Sequence, residues 1–204
     1  MSHSSLPKLY ASFDVESDGG NASQNSMLSL GISFVTGDGK ILDEVEYHMF
    51  ARKDRSYEPR CMSEFWMKPE QKLAWDHVHQ GRIMPQDAMF DLAQRLSFLN
   101  ASYNVEWIAY PSCFDWMYLK SYYDEYGPEN RPDLGYYCTD IGSEMRSIAR
   151  AMNKSAAEVT NYFKPHNPQP HLALSDARTQ GKMFVNFVAW RRGLRKHLSG
   201  VELK

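Results

Sequence analysis

Cysteine is scarce in this sequence: there are three, Cys61, Cys113 and Cys138, an odd number with no C-x-x-C pair. That excludes a disulfide framework and a cysteine-built zinc site, and points to reduced thiols in a cytoplasmic setting. Long apolar runs are missing too. None approaches the roughly 18 residues of a membrane span, and the opening Met1-Ser2-His3-Ser4-Ser5-Leu6-Pro7-Lys8 has no apolar signal core. Nor is positive charge in excess: 23 Lys and Arg against 25 Asp and Glu leave a net charge of −2. A protein that grips long nucleic acid by charge alone is usually basic. Any nucleic-acid contact is therefore expected to be short, local or bridged by metal. There is no repeat, low-complexity tract or dividing linker, so the 204 residues read as one domain, 1–204, able to bury a sizeable core.

Aromatics, by contrast, are plentiful: 12 Tyr, 10 Phe and 5 Trp. They build cores and also make platforms for unstacked bases, and most are assigned here to the core. The organising stretch is Tyr10-Ala11-Ser12-Phe13-Asp14-Val15-Glu16, an apolar run broken by two carboxylates two residues apart. On a strand, such positions share a face. Asp14 and Glu16 then project together, opposite Ala11, Phe13 and Val15. Two like charges on a largely buried strand repel, and a hard divalent cation is the natural offset. Read alone, the pair fits a solvated strand end with two surface acids better than a metal site, since a lone D-x-E is common.

Behind it lies a polar, turn-rich loop from Ser17 to Ser26. Met27 to Val35 reads as a strand, Thr36 to Lys40 as a hairpin turn and Ile41 to Phe50 as the returning strand. A helical region is expected from Ser63 to about Val78, broken at Gly81-Arg82. Pro85 to Leu99 has helical apolar spacing. Val105 to Tyr110 reads as a buried strand, Phe114 to Tyr126 as a helix and Tyr136-Tyr137 as a fifth strand. Asp140 to Met152 is helical, with Asp140 a cap, and Ser155-Ala156-Ala157-Glu158 has capping-box form. A proline-bearing loop from Lys164 to Pro170 leads into a final helix, Ala173 to Leu198. Three hairpin strands followed by alternating helices and strands imply an α/β mixed sheet with helices on both faces.

Two further acids stand at telling places. Asp115 follows a strand at the first turn of a helix, where a carboxylate also serves as a cap. Asp176 lies in the last helix, five residues after His171. Helical positions five apart diverge by about 140°, so His171 can share a site with Asp176 only from outside the helix. Its loop is expected to be mobile, with the ring away from the acids until substrate binds. Together, four carboxylates and one histidine are what two-metal phosphodiester hydrolysis needs. The acids, Asp14, Glu16, Asp115 and Asp176, hold two Mg²⁺ or Mn²⁺ ions about 3.5–4 Å apart, and His171 takes a proton from the attacking water.

On Phe13-Asp14-Val15-Glu16, Phe114-Asp115 and His171-Leu172-Ala173-Leu174-Ser175-Asp176-Ala177, nearly the whole chain resembles the DEDDh branch of the DnaQ-like 3′–5′ exonucleases. Glu64-Phe65-Trp66 resembles their small exoribonuclease-like group of bacteria and phages. The resemblance implies the RNase H-like fold and the release of nucleoside 5′-monophosphates from the 3′ end of single-stranded or overhanging RNA or DNA. It assigns the metal to Asp14, Glu16, Asp115 and Asp176 and the general base to His171, and it makes a homodimer an expectation. The sequence departs from the usual family pattern at Ser17-Asp18-Gly19 and at Ser112-Cys113, which bears on substrate contacts.

RNA is slightly favoured over DNA. The alternatives are a DNA exonuclease for proofreading or single-strand clean-up, and a catalytically silent nucleic-acid-binding module. Ser17, Asp18 and Trp66 are the candidate substrate contacts, although a helix tryptophan is more often core. Cys113 reads as a small buried thiol. Arg191, Arg192, Arg195, Lys196 and His197 form a basic cluster that fits a helix C-terminus or phosphate contact.

Overall fold

The computed structural model describes residues 6–198, and side chains as far as residue 193. β1 (Lys8–Ser17), β2 (Met27–Thr36) and β3 (Ile41–His48) form an antiparallel meander. β4 (Asn104–Ala109) and β5 (Thr139–Asp140) join parallel to β1, giving the order β3-β2-β1-β4-β5. Helices cover both faces, as expected for a mixed sheet. One face carries α3 (Pro85–Asn100) and α4 (Ser112–Tyr126), packed on Phe13, Val15, Leu30, Ile32 and Phe34. The other carries α5 (Ile141–Ala151), α6 (Ala156–Phe163) and α7 (Ala173–Leu198), packed on Tyr10, Val35 and Ile108.

α7 lies on the sheet where the strands present small side chains. On β2, Ser29, Gly31 and Ser33 alternate with Leu30, Ile32 and Phe34, so one face is apolar and bulky and the other nearly flat. A Cβ on Gly31 would come within 2.2 Å of the Leu174 backbone nitrogen, and one on Gly181 within 3.0 Å of Ser12 Cβ. This close approach brings the first turns of α7 onto the end of β1.

Two sequence expectations are corrected. After α1 (Pro59–Cys61), the helix expected from Ser63 to Val78 is a series of short pieces: a π-helical segment (Met62–Trp66), a 3₁₀ turn (Pro69–Gln71) and α2 (Lys72–Val78). Pro69 is the cause, because the residue before a proline is pushed out of the helical region, and Lys68 is extended. The fifth strand is Thr139–Asp140, not Tyr136-Tyr137, whose side chains are 87% and 89% exposed. Their β-propensity is not matched by any surface to pack on. Asp140 does cap α5, accepting the Ser143 N–H, and the capping box at Ser155 and Glu158 is formed. No helix among the described residues is long and apolar enough to cross a membrane.

Candidate active site

β1 and β4 run parallel, so their carboxyl ends open at the same edge of the sheet, the usual position of a site in an α/β fold. The β1–β4 ladder ends at Ser12 and Ile108. Beyond it the Val15 N–H is taken by Asp115 Oδ1 at 3.1 Å, from the first turn of α4. The pleat of β1 turns Phe13 and Val15 into the core and Asp14 and Glu16 toward α7. There Gln180 Nε2 donates to Asp14 Oδ1 at 2.7 Å. Asp176, one helical turn before Gln180, accepts from Asn167 Nδ2 at 2.6 Å and from the His171 backbone N–H at 2.7 Å.

His171 sits before α7 with a left-handed backbone, φ 63°. That conformation folds its N–H back onto Asp176. Its ring packs edge-on against Phe65, 5.1 Å between centroids. Glu16, His171 and Asp176 each offer one donor atom, all within 4.8 Å of one another. The ring therefore lies over the acids, not away from them as the sequence suggested. Asp14, Glu16, Asp115, His171 and Asp176 line one cleft of about 360 Å³.

The electrostatics of this cleft are one-sided. Burial, followed by the charges of Asp115, Glu16 and Asp176, pushes the Asp14 carboxyl well above the usual range. Burial, then Asp176 and Asp115, does the same to Glu16. Burial raises Asp115 to about 8 against the opposing Val15 N–H, and raises Asp176 as well. Carboxylates so crowded in a low dielectric cannot all ionise at neutral pH without positive charge among them. Asp115 Oδ2 is buried with no hydrogen-bond partner. An all-carboxylate oxygen set with a bare buried oxygen fits a hard divalent cation such as Mg²⁺ or Mn²⁺.

The proposed substrate contacts fare differently. Trp66 is only 2% exposed, packed with Leu28, Ala74, Val78 and Leu172, and its indole N–H donates to the Ser17 carbonyl at 2.8 Å. It supports the loop and offers no face to a base. Asp18 is buried and closes the same loop by accepting the Ser26 N–H. Ser17 stays at the rim of an adjoining cleft, together with Glu16, Phe65 and Phe114. Cys113, expected to be buried, is exposed. Arg191 and Arg192 pair with Glu144 and the Gly37 carbonyl, while the side chains of Arg195, Lys196 and His197 lie outside the described residues.

Sequence reasoning missed Gln180, Asn167, Lys164 and Thr179, all of which touch or line the site. Gln180 was within reach, because it stands four residues after Asp176 and so shares its helical face. Lys164 carries no such mark; only the path of the loop brings its cation to the cleft.

No family model matches the chain. Among curated proteins it is 23% identical over 191 residues to the 3′–5′ DNA exonuclease Cap18 of Escherichia coli, covering 87% of this chain and 90% of that one. Among solved structures it superposes on E. coli exonuclease I in complex with single-stranded DNA, with a TM-score of 0.65 and 13% identity, covering 96% of this chain. It spans 43% of the exonuclease I chain. It also matches the nuclease domain of 3′hExo, a DEDDh family member bound to rAMP, with a TM-score of 0.59 and 12% identity over 93% of this chain and 94% of that one. Pop2p of S. pombe, in a Mg²⁺- and Mn²⁺-bound form, gives 0.59 at 16% identity over 98% and 86%. The chain has the RNase H-like fold of the DnaQ-like exonucleases.

Proposed function

We propose that this chain, built on the fold of the DEDDh exonucleases, is a divalent-metal-dependent 3′–5′ exonuclease that releases nucleoside 5′-monophosphates. The observation that carries the reading is the convergence of Asp14, Glu16, Asp115, Asp176 and His171 on one cleft from β1, α4, α7 and the loop before it. The four acids would hold the ions. When bound, these supply the positive charge that offsets the charge developing on the phosphate in the transition state. Gln180 fixes the rotamer of Asp14, and the Val15 N–H fixes that of Asp115. The backbone bond from His171 to Asp176 and the edge of Phe65 hold the imidazole over the acids. From there it accepts the proton of the attacking water. Lys164, at the same cleft, is positioned to meet a phosphate oxygen.

Single-stranded or overhanging 3′ ends are the expected substrates. The likeness to a DNA exonuclease over nearly the whole chain supports DNA as the first substrate to test, ahead of the RNA favoured by the sequence. The test is incubation of 3′- and 5′-labelled DNA and RNA oligomers with Mg²⁺ or Mn²⁺. A 5′-labelled strand that shortens stepwise, with 5′-monophosphates released, is the expected result. Degradation that starts from the 5′ end would overturn the reading. So would binding that needs no divalent ion and leaves both strands intact, which is the behaviour of a silent binding module.

A further inference from the structure

A second group of metal-ligand residues lies outside the catalytic acids. Glu46 and His48 are two apart on β3 and so share a face. His77, from the last turn of α2, meets them there. His77 Nε2 is 3.0 Å from Glu46 Oε2, and His48 Nε2 is 3.7 Å from the same oxygen. The two rings meet edge to face, 4.5 Å between centroids, and the three donor atoms all lie within 4.8 Å of one another.

The tautomer of His48 follows from its other nitrogen. Nδ1 is 2.7 Å from the Gln80 carbonyl oxygen, which can only accept, so Nδ1 carries the proton. In the neutral ring Nε2 is then a lone pair, buried and without a hydrogen-bond partner, facing a carboxylate. One proton on His77 completes the 3.0 Å contact, and His48 faces the same oxygen from 3.7 Å, as a bare lone pair when neutral and as a second cation, which Glu46 favours, when protonated. A divalent cation at the meeting point satisfies both nitrogens and the carboxylate. An imidazole whose second nitrogen donates to a backbone carbonyl is also the usual support of a metal-bound histidine. Two imidazole nitrogens with one carboxylate oxygen select a borderline transition-metal ion, unlike the four carboxylates that dominate the catalytic cleft.

We propose that Glu46, His48 and His77 form a binding site for a borderline divalent cation of the zinc class, separate from the catalytic acids. The ion would join β3 to α2. Glu46 also accepts the Leu174 N–H through Oε1 at 3.2 Å, so the same carboxylate holds the first turn of α7, two residues from Asp176. Occupancy would thereby stiffen the wall of the catalytic cleft. The proposal stands whether or not the chain proves to be a nuclease.

The probe is Co²⁺ or Zn²⁺ added to the full chain in excess Mg²⁺, in a Glu16→Gln, Asp176→Asn background that disables the cleft. One equivalent should bind, with the visible absorption bands of Co²⁺ in a nitrogen-containing site, and Zn²⁺ should raise the melting temperature. His48→Ala or His77→Ala in that background should lose the equivalent. Affinity should fall by more than the ~10–100-fold that loss of an outer partner costs. X-ray absorption on the zinc-loaded background protein guards against a variant that fails to fold, and should show imidazole nitrogens at about 2.0–2.1 Å. An all-oxygen shell, an absent equivalent, or one that survives His77→Ala would overturn the proposal.

Discussion

At the scale of single residues, the site is defined by the mutual repulsion of its carboxylates. Asp14→Asn removes one ligand charge and almost no volume. Hydrolysis should fall below a few per cent of the wild-type rate, while the ion-free protein melts at an equal or higher temperature. Retained activity would remove Asp14 from the metal set. The direction of the shifts also predicts the pH dependence of stability. Asp115 titrates near 8 in the folded chain against about 3.9 for a free aspartate. The folded state thus keeps a proton that the unfolded state has lost. Stability from this group is complete below about pH 4 and is lost as pH rises toward 8. Asp14 and Glu16 act in the same sense. Thermal melts in a chelator should therefore decline between pH 5 and 8, and Mg²⁺ should flatten the decline. A profile that is flat without metal would contradict this account. On the proposed mechanism His171 acts on the water and is not a metal ligand. His171→Ala should lower kcat by ~10²–10⁴-fold and leave metal and oligonucleotide affinity nearly unchanged. A large loss of metal affinity would instead make it a ligand.

At the scale of elements, the site depends on how closely α7 lies on β1 and β2. Gly31 is the contact point, since a Cβ there would meet Leu174 N at 2.2 Å and Ala173 C at 2.3 Å. Both are backbone atoms and cannot turn aside as a side chain can. Gly31→Ala should cost about 1–3 kcal/mol through overpacking, a loss of several degrees in Tm for a chain of this size. It should also shift the first turn of α7, which carries Asp176. Activity measured well below the melting temperature should then fall by more than the lost stability explains. An active, destabilised variant would show that α7 tolerates displacement at this end.

At the scale of the whole molecule, a net charge of −2 leaves little general attraction for polyphosphate. Binding should rest on the terminal nucleotide and on one or two neutralised phosphates. For a single strand, each contributes about −0.7 to the slope of log K against log salt. Affinity for a DNA oligomer in Ca²⁺, used in place of Mg²⁺ to suppress hydrolysis, should fall less than about tenfold between 50 and 200 mM salt. A fall of a thousandfold or more would indicate an extended basic track and a different mode of binding.

The sequence by itself determined the three-stranded opening, the final helix and the five candidate site residues. Alternation along Tyr10 to Glu16 and Met27 to Val35, and the turn between Thr36 and Lys40, are local signals that neighbouring residues carry. The caps at Asp140 and Ser155 were legible for the same reason: the bonds that make them span only three residues. The break at Pro69 is written locally too, but the helical composition on both sides masks it. Tertiary structure alone decided that Trp66 is a buried support, that Cys113 is exposed and that Asn167 and Lys164 reach the site. It also brought His77 to Glu46 and His48. Most of these depend on non-adjacent segments of the chain coming together in space, and the small faces of Gly31, Gly181 and Ser12 set how closely α7 can approach.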